Sequence, residues 1–230
     1  QDPAIAAQIN WIGSGSGQNR DLGALMNWNY KYKDRYMLQT IVRADANSSF
    51  GASNRWGVFK GVSLGWRFSK EPILSGMESW MGDCMFRASW GTSGRPPGDA
   101  YARFASYVTS GTGNYITNPA ISPNAIQLDN LKWESISSTD VGLELNLFKD
   151  RFFLEGDVYR KVTSDLLFKD YSIPTSSGFD QLKFLNGGEM ENKGWELMMN
   201  YKIIRTKDWL VSVDFNTSQN INAFTQLPEN

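Results

Sequence analysis

The sequence predicts an all-β fold: an antiparallel sheet of the transmembrane β-barrel kind. Eight segments place an apolar residue at every second position. Each is about eight to twelve residues long, beyond the soluble norm of about five or six and near what a tilted strand needs to cross a bilayer. The connections alternate between short charged turns and long loops rich in Gly, Ser, Asn and Pro. Successive connections of an antiparallel sheet lie at opposite ends, so one end carries turns and the other carries loops, as in outer-membrane barrels.

The apolar positions of each strand, in chain order, are these. Ala24, Met26, Trp28 and Tyr30 alternate with Asn27, Asn29 and Lys31. Tyr36, Leu38, Thr40 and Val42 alternate with Arg35, Gln39 and Arg43. Val62, Leu64, Trp66 and Phe68 face away from Ser63 and Arg67, and Cys84, Phe86, Ala88 and Trp90 away from Arg87 and Ser89. In the second half, Val141, Leu143, Leu145 and Leu147 oppose Glu144 and Asn146, and Phe152, Leu154 and Val158 oppose Glu155 and Asp157. Trp195, Leu197, Met199 and Tyr201 oppose Glu196 and Asn200, and Trp209, Val211, Val213 and Phe215 oppose Ser212, Asp214 and Asn216.

The short connections are 32–34, 148–151 and 205–208; the long ones are 44–56, 92–130 and 164–188. The connection 69–82 breaks the rule, being long at the turn end. Its Glu71-Pro72 start and the spacing of Ile73, Leu74, Met77, Trp80 and Met81 predict a small amphipathic helix there.

Composition narrows the function. The chain has 230 residues with 23 basic and 24 acidic side chains, too neutral for an electrostatic nucleic-acid binder. It has no histidine, so Ser-His-Asp and Cys-His catalysis and every His-containing metal or haem site are excluded within it. Cys84 is the one cysteine, which excludes an internal disulfide and reads as a small buried hydrophobe. No apolar run approaches the roughly 20 residues of a transmembrane helix. The first residue is Gln1, which reads as a processed or partial chain. No metal site or cofactor is expected.

Glu155 and Asp157 share one strand face and could in principle act as a paired acid and base, but their polar face reads as the wall of a wet lumen. Arg35, Gln39, Arg43, Arg67, Glu144, Glu155 and Asp157 are therefore the expected lumen-lining set. The tryptophans near strand ends read as an aromatic girdle or core. The 39-residue connection 92–130 is the expected recognition loop, carrying Arg95, Asp99, Tyr101, Arg103, Tyr107 and Tyr115. The segment Gly13-Ser14-Gly15-Ser16-Gly17 reads as a flexible stretch, since neither a preceding strand nor a following Lys-Ser/Thr supports a phosphate loop.

Several motifs resemble one family in the right order. They are Lys33-Asp34-Arg35-Tyr36, the run Arg43 to Gly51, Asn54-Arg55-Trp56-Gly57, Gly65-Trp66-Arg67 and Leu131-Lys132-Trp133-Glu134. Tyr159 to Leu167, Pro174 to Phe179 and Asn186 to Leu197 follow. Together they look like the barrel of SusC/RagA-type TonB-dependent transporters of Bacteroidota, over residues 22–215. Lys60 departs from the family pattern, which often has Pro there.

The resemblance implies a plugged barrel of roughly 22 strands, of which this chain supplies about eight, from the C-terminal part. It implies an outer-membrane importer of oligosaccharide or peptide. A SusD-like surface lipoprotein would act as lid, and the TonB–ExbB–ExbD complex would act through parts absent from the chain. On this reading 1–21 is a flexible external-loop remnant, 22–217 is barrel wall, and 218–230 opens a further external loop. The alternative is a soluble secreted β-sandwich that binds carbohydrate through exposed tryptophans.

Overall fold

The computed structural model describes residues 17–77, 79–115, 118–179 and 181–228. Its strands are β1 (Asp21–Tyr32), β2 (Tyr36–Asn47), β3 (Trp56–Trp66), β4 (Met85–Arg95), β5 (Ser106–Tyr115), β6 (Asn118–Ala125), β7 (Glu134–Leu147), β8 (Phe152–Ser164), β9 (Leu167–Ser172), β10 (Gln181–Asn186), β11 (Glu189–Arg205) and β12 (Leu210–Gln226). Eight of these form one antiparallel sheet in the order β1-β2-β3-β4-β7-β8-β11-β12, so each strand pairs with the next one expected from the sequence. The other four make two hairpins, β5–β6 and β9–β10, inside connections the sequence presents as loops.

Directly opposed residues share a face, which fixes the two surfaces. One row runs Tyr30, Leu38, Leu64, Ala88, Val141, Val158, Trp195. Its side is apolar yet open: Met26 is 71% exposed, Leu64 53% and Val158 63%. A row on the other side runs Asn29, Gln39, Ser63, Ser89, Asp140, Tyr159. A β-sandwich would need a second sheet over the apolar face. Among the described residues the only other sheets are the two hairpins, and the soluble-sandwich alternative falls. Long strands with one uncovered apolar face suit hydrocarbon as the missing layer.

The sheet is staggered as a barrel wall. Following paired residues from Tyr36 through Trp66, Phe86, Leu143 and Gly156 leads to Leu197, eight residues short of Arg205, where β11 ends. If the turns lie in one plane, about 26 Å along the strands accrues over about 24 Å across them, a tilt of about 47°, close to the upper end of the barrel range.

This stagger accounts for the long turn-end connection. β4 begins opposite Glu144, so Asn146 and Leu147 lack a partner in that strand. Residues from 80 to 84 fill the step. Gly82 N–H donates to the Asn146 carbonyl at 2.7 Å, Met81 bridges Leu147, and the fully buried Cys84 thiol points at the same carbonyl from 3.6 Å. The helix expected at 69–82 is instead two short 3₁₀ turns, Phe68–Lys70 and Pro72–Met77. Pro72 and the need to feed an extended segment into the step keep the α-helix from forming.

The tight turns use left-handed backbone without glycine: Lys33 and Asp34 between β1 and β2, and Phe148, Lys149 and Asp150 between β7 and β8. Positive φ at both central residues matches the twist of a hairpin. Aromatics gather at this end, with Tyr32 against Tyr36 (6.4 Å between centroids), Trp66 against Phe68 (5.8 Å) and Phe152 against Tyr201 (6.3 Å). Strand β12 runs through Gln226, so most of the segment expected to open an external loop at 218–230 is strand. Of the flexible stretch expected at 1–21, residues 1–16 lie outside the described residues, and Asp21 is already in β1.

Gly194 in β11 marks a close approach: a methyl there would overlap the Gln219 carbonyl oxygen and the Tyr159 hydroxyl. Gly194→Ala in the full-length protein should therefore cost about 1–3 kcal/mol, read as a lower midpoint of heat-induced barrel opening on semi-native gels.

Candidate functional site

The polar face holds one concentrated ionic cluster. Arg87, at the start of β4, is ringed by carboxylates from β7 and β8. Its Nε is 3.1 Å from Glu144, and its Nη2 is 2.7 Å from Glu155 and 3.1 Å from Asp157. Gly142 lies directly opposite Arg87, and a side chain there would overlap the Asp157 carboxylate and press on the guanidinium. The glycine thus makes room for the bridge. Glu155 and Asp157 are both held by this one arginine.

The loop end is a packed cap. Phe50, Ala102, Leu131 and Phe184 form its buried core, with Trp133 4.6 Å from Phe50 and edge-on to Phe59 at 5.7 Å. These residues come from three different connections, so the loops brace one another. Buried Asn47 ties the strand ends: its amide donates to Asp21 at 2.5 Å, and its Oδ1 accepts the Ser49 N–H at 2.7 Å. Asp99 accepts from Lys183 at 2.7 Å, locking the long connection to β10. That bond, aided by the Tyr101 N–H, holds the Asp99 carboxyl below its ordinary range. Asn186 accepts from the Lys132 N–H and donates to the carbonyls of Lys132 and Asp165, fixing the entry into β7.

The expected lumen-lining residues divide in two. Gln39, Arg43, Glu144, Glu155 and Asp157 lie on the polar face, Gln39 bonded to Asn27 (3.4 Å) and Arg43 to Asp45 (2.6 Å). Arg35 and Arg67 sit at the turn rim, paired with Glu71 (3.3 Å) and Asp83 (3.0 Å). Of the recognition-loop residues, Arg95 ends β4 opposite Glu134, and Tyr107 stands 69% exposed at the base of β5. Tyr115 ends β5, paired with Asn118. Tyr101 accepts the Gln18 N–H, and the Arg103 guanidinium stacks on Phe104 at 4.1 Å.

Arg87 is the polar-face residue that the expected set omits. Its signal was present: it is a basic side chain on the polar side of its strand, flanked by Met85 and Ser89. What the sequence did not show is that three carboxylates from two later strands fall beside it.

The family model for the TonB dependent receptor-like β-barrel matches residues 5–229. The chain belongs to that family. TonB-dependent receptor P26 of Formosa agariphila is 34% identical over 200 residues, covering 86% of this chain and 20% of that protein. TonB-dependent receptor SusC of Bacteroides thetaiotaomicron is 32% identical over 208 residues, with 86% and 20% covered. The RagAB peptide importer in its open-open state superposes with a TM-score of 0.81 at 27% identity, over 91% of this chain and 22% of that one. The chain spans about a fifth of the length of the curated relatives it matches. The receptor family explains both surfaces of the sheet, and the outer membrane is where this barrel segment resides.

Two predictions follow from the receptor's ionic contacts. Glu71 accepts from the Tyr36 hydroxyl (2.6 Å), the Trp66 indole (3.0 Å) and Arg35, bonds that lower its carboxyl pKa. A carboxylate with a lowered folded pKa contributes stability above its unfolded value and loses it as pH falls through the folded one. The advantage of wild type over Glu71→Gln should be full at neutral pH and vanish in acid, measured as melting temperature against pH. Arg87→Met should lower stability by about 1–2 kcal/mol, because three largely covered carboxylates lose their common cation. Arg87→Lys should recover part of that loss.

Proposed function

We propose that this chain is wall and external-loop structure of a SusC-like TonB-dependent importer that carries oligosaccharide or peptide across the outer membrane. The observation that carries the reading is the two-faced, barrel-staggered sheet with a braced loop cap at one end. The apolar face meets lipid. The polar face, with Gln39, Arg43, Glu144, Glu155 and Asp157 gathered around or above Arg87, lines a wet interior occupied by the plug. Arg35 and Arg67 hold the periplasmic rim. SusC and the RagAB peptide importer supply the transport analogy.

The connection 92–130, chiefly hairpin β5–β6 with Tyr107 and Tyr115, is the surface offered to the nutrient or to a SusD-like lipoprotein lid. Arg95 and Asp99 position it: Arg95 caps the strand from which it leaves, and Asp99 anchors it to Lys183. The TonB–ExbB–ExbD complex would act on parts of the protein outside this chain. On this reading the chain contributes structure and not catalysis, in keeping with the transport relatives.

Removing residues 106–125 from the full-length protein, leaving the rest of the cap intact, should abolish nutrient-dependent growth or lid co-purification while the barrel still reaches the outer membrane. Unchanged uptake together with unchanged lid recovery would sink the assignment of that hairpin.

A further inference from the structure

Charge is graded along the height of the lipid-side face. Between the turn-end aromatics and mid-height this face has no ionisable chain of either sign. Basic residues enter only above: Lys60 opposite Val42, Arg160 opposite Lys193, and Arg20, which precedes β1 with the parity of Leu22. The two acids of the upper part, Glu189 and Glu191, are already engaged. Glu191 takes Arg160 at 2.6 Å and Lys193 at 2.8 Å, and Glu189 accepts from Thr225 at 2.8 Å. Among the described residues no carboxylate pairs with Arg20, Arg55, Lys60 or Arg103.

Three of those cations line one groove, which Asp21, bonded to the Asn47 amide, also borders. This groove, of about 670 Å³ at the top of β1, β2 and β3, is lined by Arg20, Arg55 and Arg103 together with Leu22, Trp56 and Phe104. Leu22 and Trp56 carry the parity of the apolar face and are 63% and 54% exposed. Arg103 lies flat on Phe104, and its Nε is buried without a hydrogen-bond partner.

The groove's height follows from the tilt. A strand inclined by about 47° rises roughly 2.3 Å per residue along the barrel axis, so Leu22 stands about 23 Å above Tyr32 at the turn end. The lipid-facing apolar band of such barrels is about 25 Å tall. The groove therefore opens where hydrocarbon gives way to headgroups on the external side.

We propose that this groove binds the phosphorylated headgroup of an outer-leaflet glycolipid. Guanidinium groups match phosphate in bidentate geometry. Leu22 and Trp56 offer apolar contact to the neck of the same lipid, with the Trp56 ring at interfacial depth. The proposal rests on outer-membrane placement and not on the transport reading.

The test uses the full-length protein, delipidated in neutral detergent, with melting followed after adding lipid A, phosphatidylethanolamine or inorganic phosphate. Lipid A should raise the melting temperature at least about twice as much as phosphatidylethanolamine, and inorganic phosphate should raise it little. Arg20→Gln/Arg55→Gln/Arg103→Gln should lose most of the lipid A shift, and the corresponding triple Lys variant, which keeps the charge but not the bidentate geometry, should keep only part of it. The double variant Arg20→Gln/Arg55→Gln spares the Arg103–Phe104 stack and should lose about half, which covers a triple variant that fails to fold. Equal shifts in the double variant and wild type would overturn the proposal. So would stabilisation by inorganic phosphate equal to that by lipid A, or a triple variant that keeps the lipid A shift but loses nutrient binding.

Discussion

Hydrocarbon supplies no hydrogen bonds, so a backbone that crosses it must pair every N–H and C=O internally, and the arrangement of this chain follows from that demand. A sheet can meet it only by continuing from strand to strand without gaps until it closes. Hence the eight neighbours in chain order, interrupted only by the two hairpins carried in the long connections. Closure also demands tilt, and tilt demands a step between adjacent hairpins. That step is visible at Asn146, whose carbonyl would be orphaned beside the short β4 were it not met by Gly82. The 69–82 connection is thus a hydrogen-bonding device: it extends the ladder where the strand itself stops.

The two faces then diverge because they meet different solvents. On the lipid side, side chains are selected for transfer into hydrocarbon and for aromatic anchoring near the turns. On the other side, charges are permitted but must be matched, since the wall between them is only one sheet thick and partly desolvated. Arg87 resolves three carboxylates at once, and Gly142 exists as the empty place that lets Asp157 reach it. The polar face is rigid for the same reason: ion pairs that cross β4, β7 and β8 brace the register that their backbone bonds establish.

Much of this was legible from residue order. The period of two located all eight wall strands, and the alternation of Lys33-Asp34 or Lys149-Asp150 turns with long loops gave the orientation. Three things were hidden, each for a physical reason. Hairpin β5–β6 carries Gly, Pro, Ser and Asn at turn frequency, and β9 and β10 are only six residues each, too short for their alternation to stand out. Strand β12 continues beyond Asn216 through Thr217, Ser218, Gln219 and Asn220, polar residues held by pairing with β11 and not by burial. And the Arg87 cluster is a product of register across three strands, which periodicity within one strand does not contain.

The loop cap shows how a wall without its own core can still hold recognition surfaces steady. The only extensive buried apolar contact in the described residues is at the loop end, around Phe50, Ala102, Leu131 and Phe184. A transmembrane wall needs no core along its span, because lipid covers one face and the barrel contents the other. Above the membrane that support ends, and the connections must bury apolar surface against one another or be free to move. Here they bury it, with the Asp99–Lys183 pair and Asn186 tying the packed residues to strand ends. The two regions therefore rely on different forces: the wall on backbone hydrogen bonds in a medium that forbids leaving them unmade, the cap on the hydrophobic effect, which acts only where water is present. Hairpin β5–β6 rises from the cap, so its position depends on that aqueous packing more than on the membrane-embedded sheet.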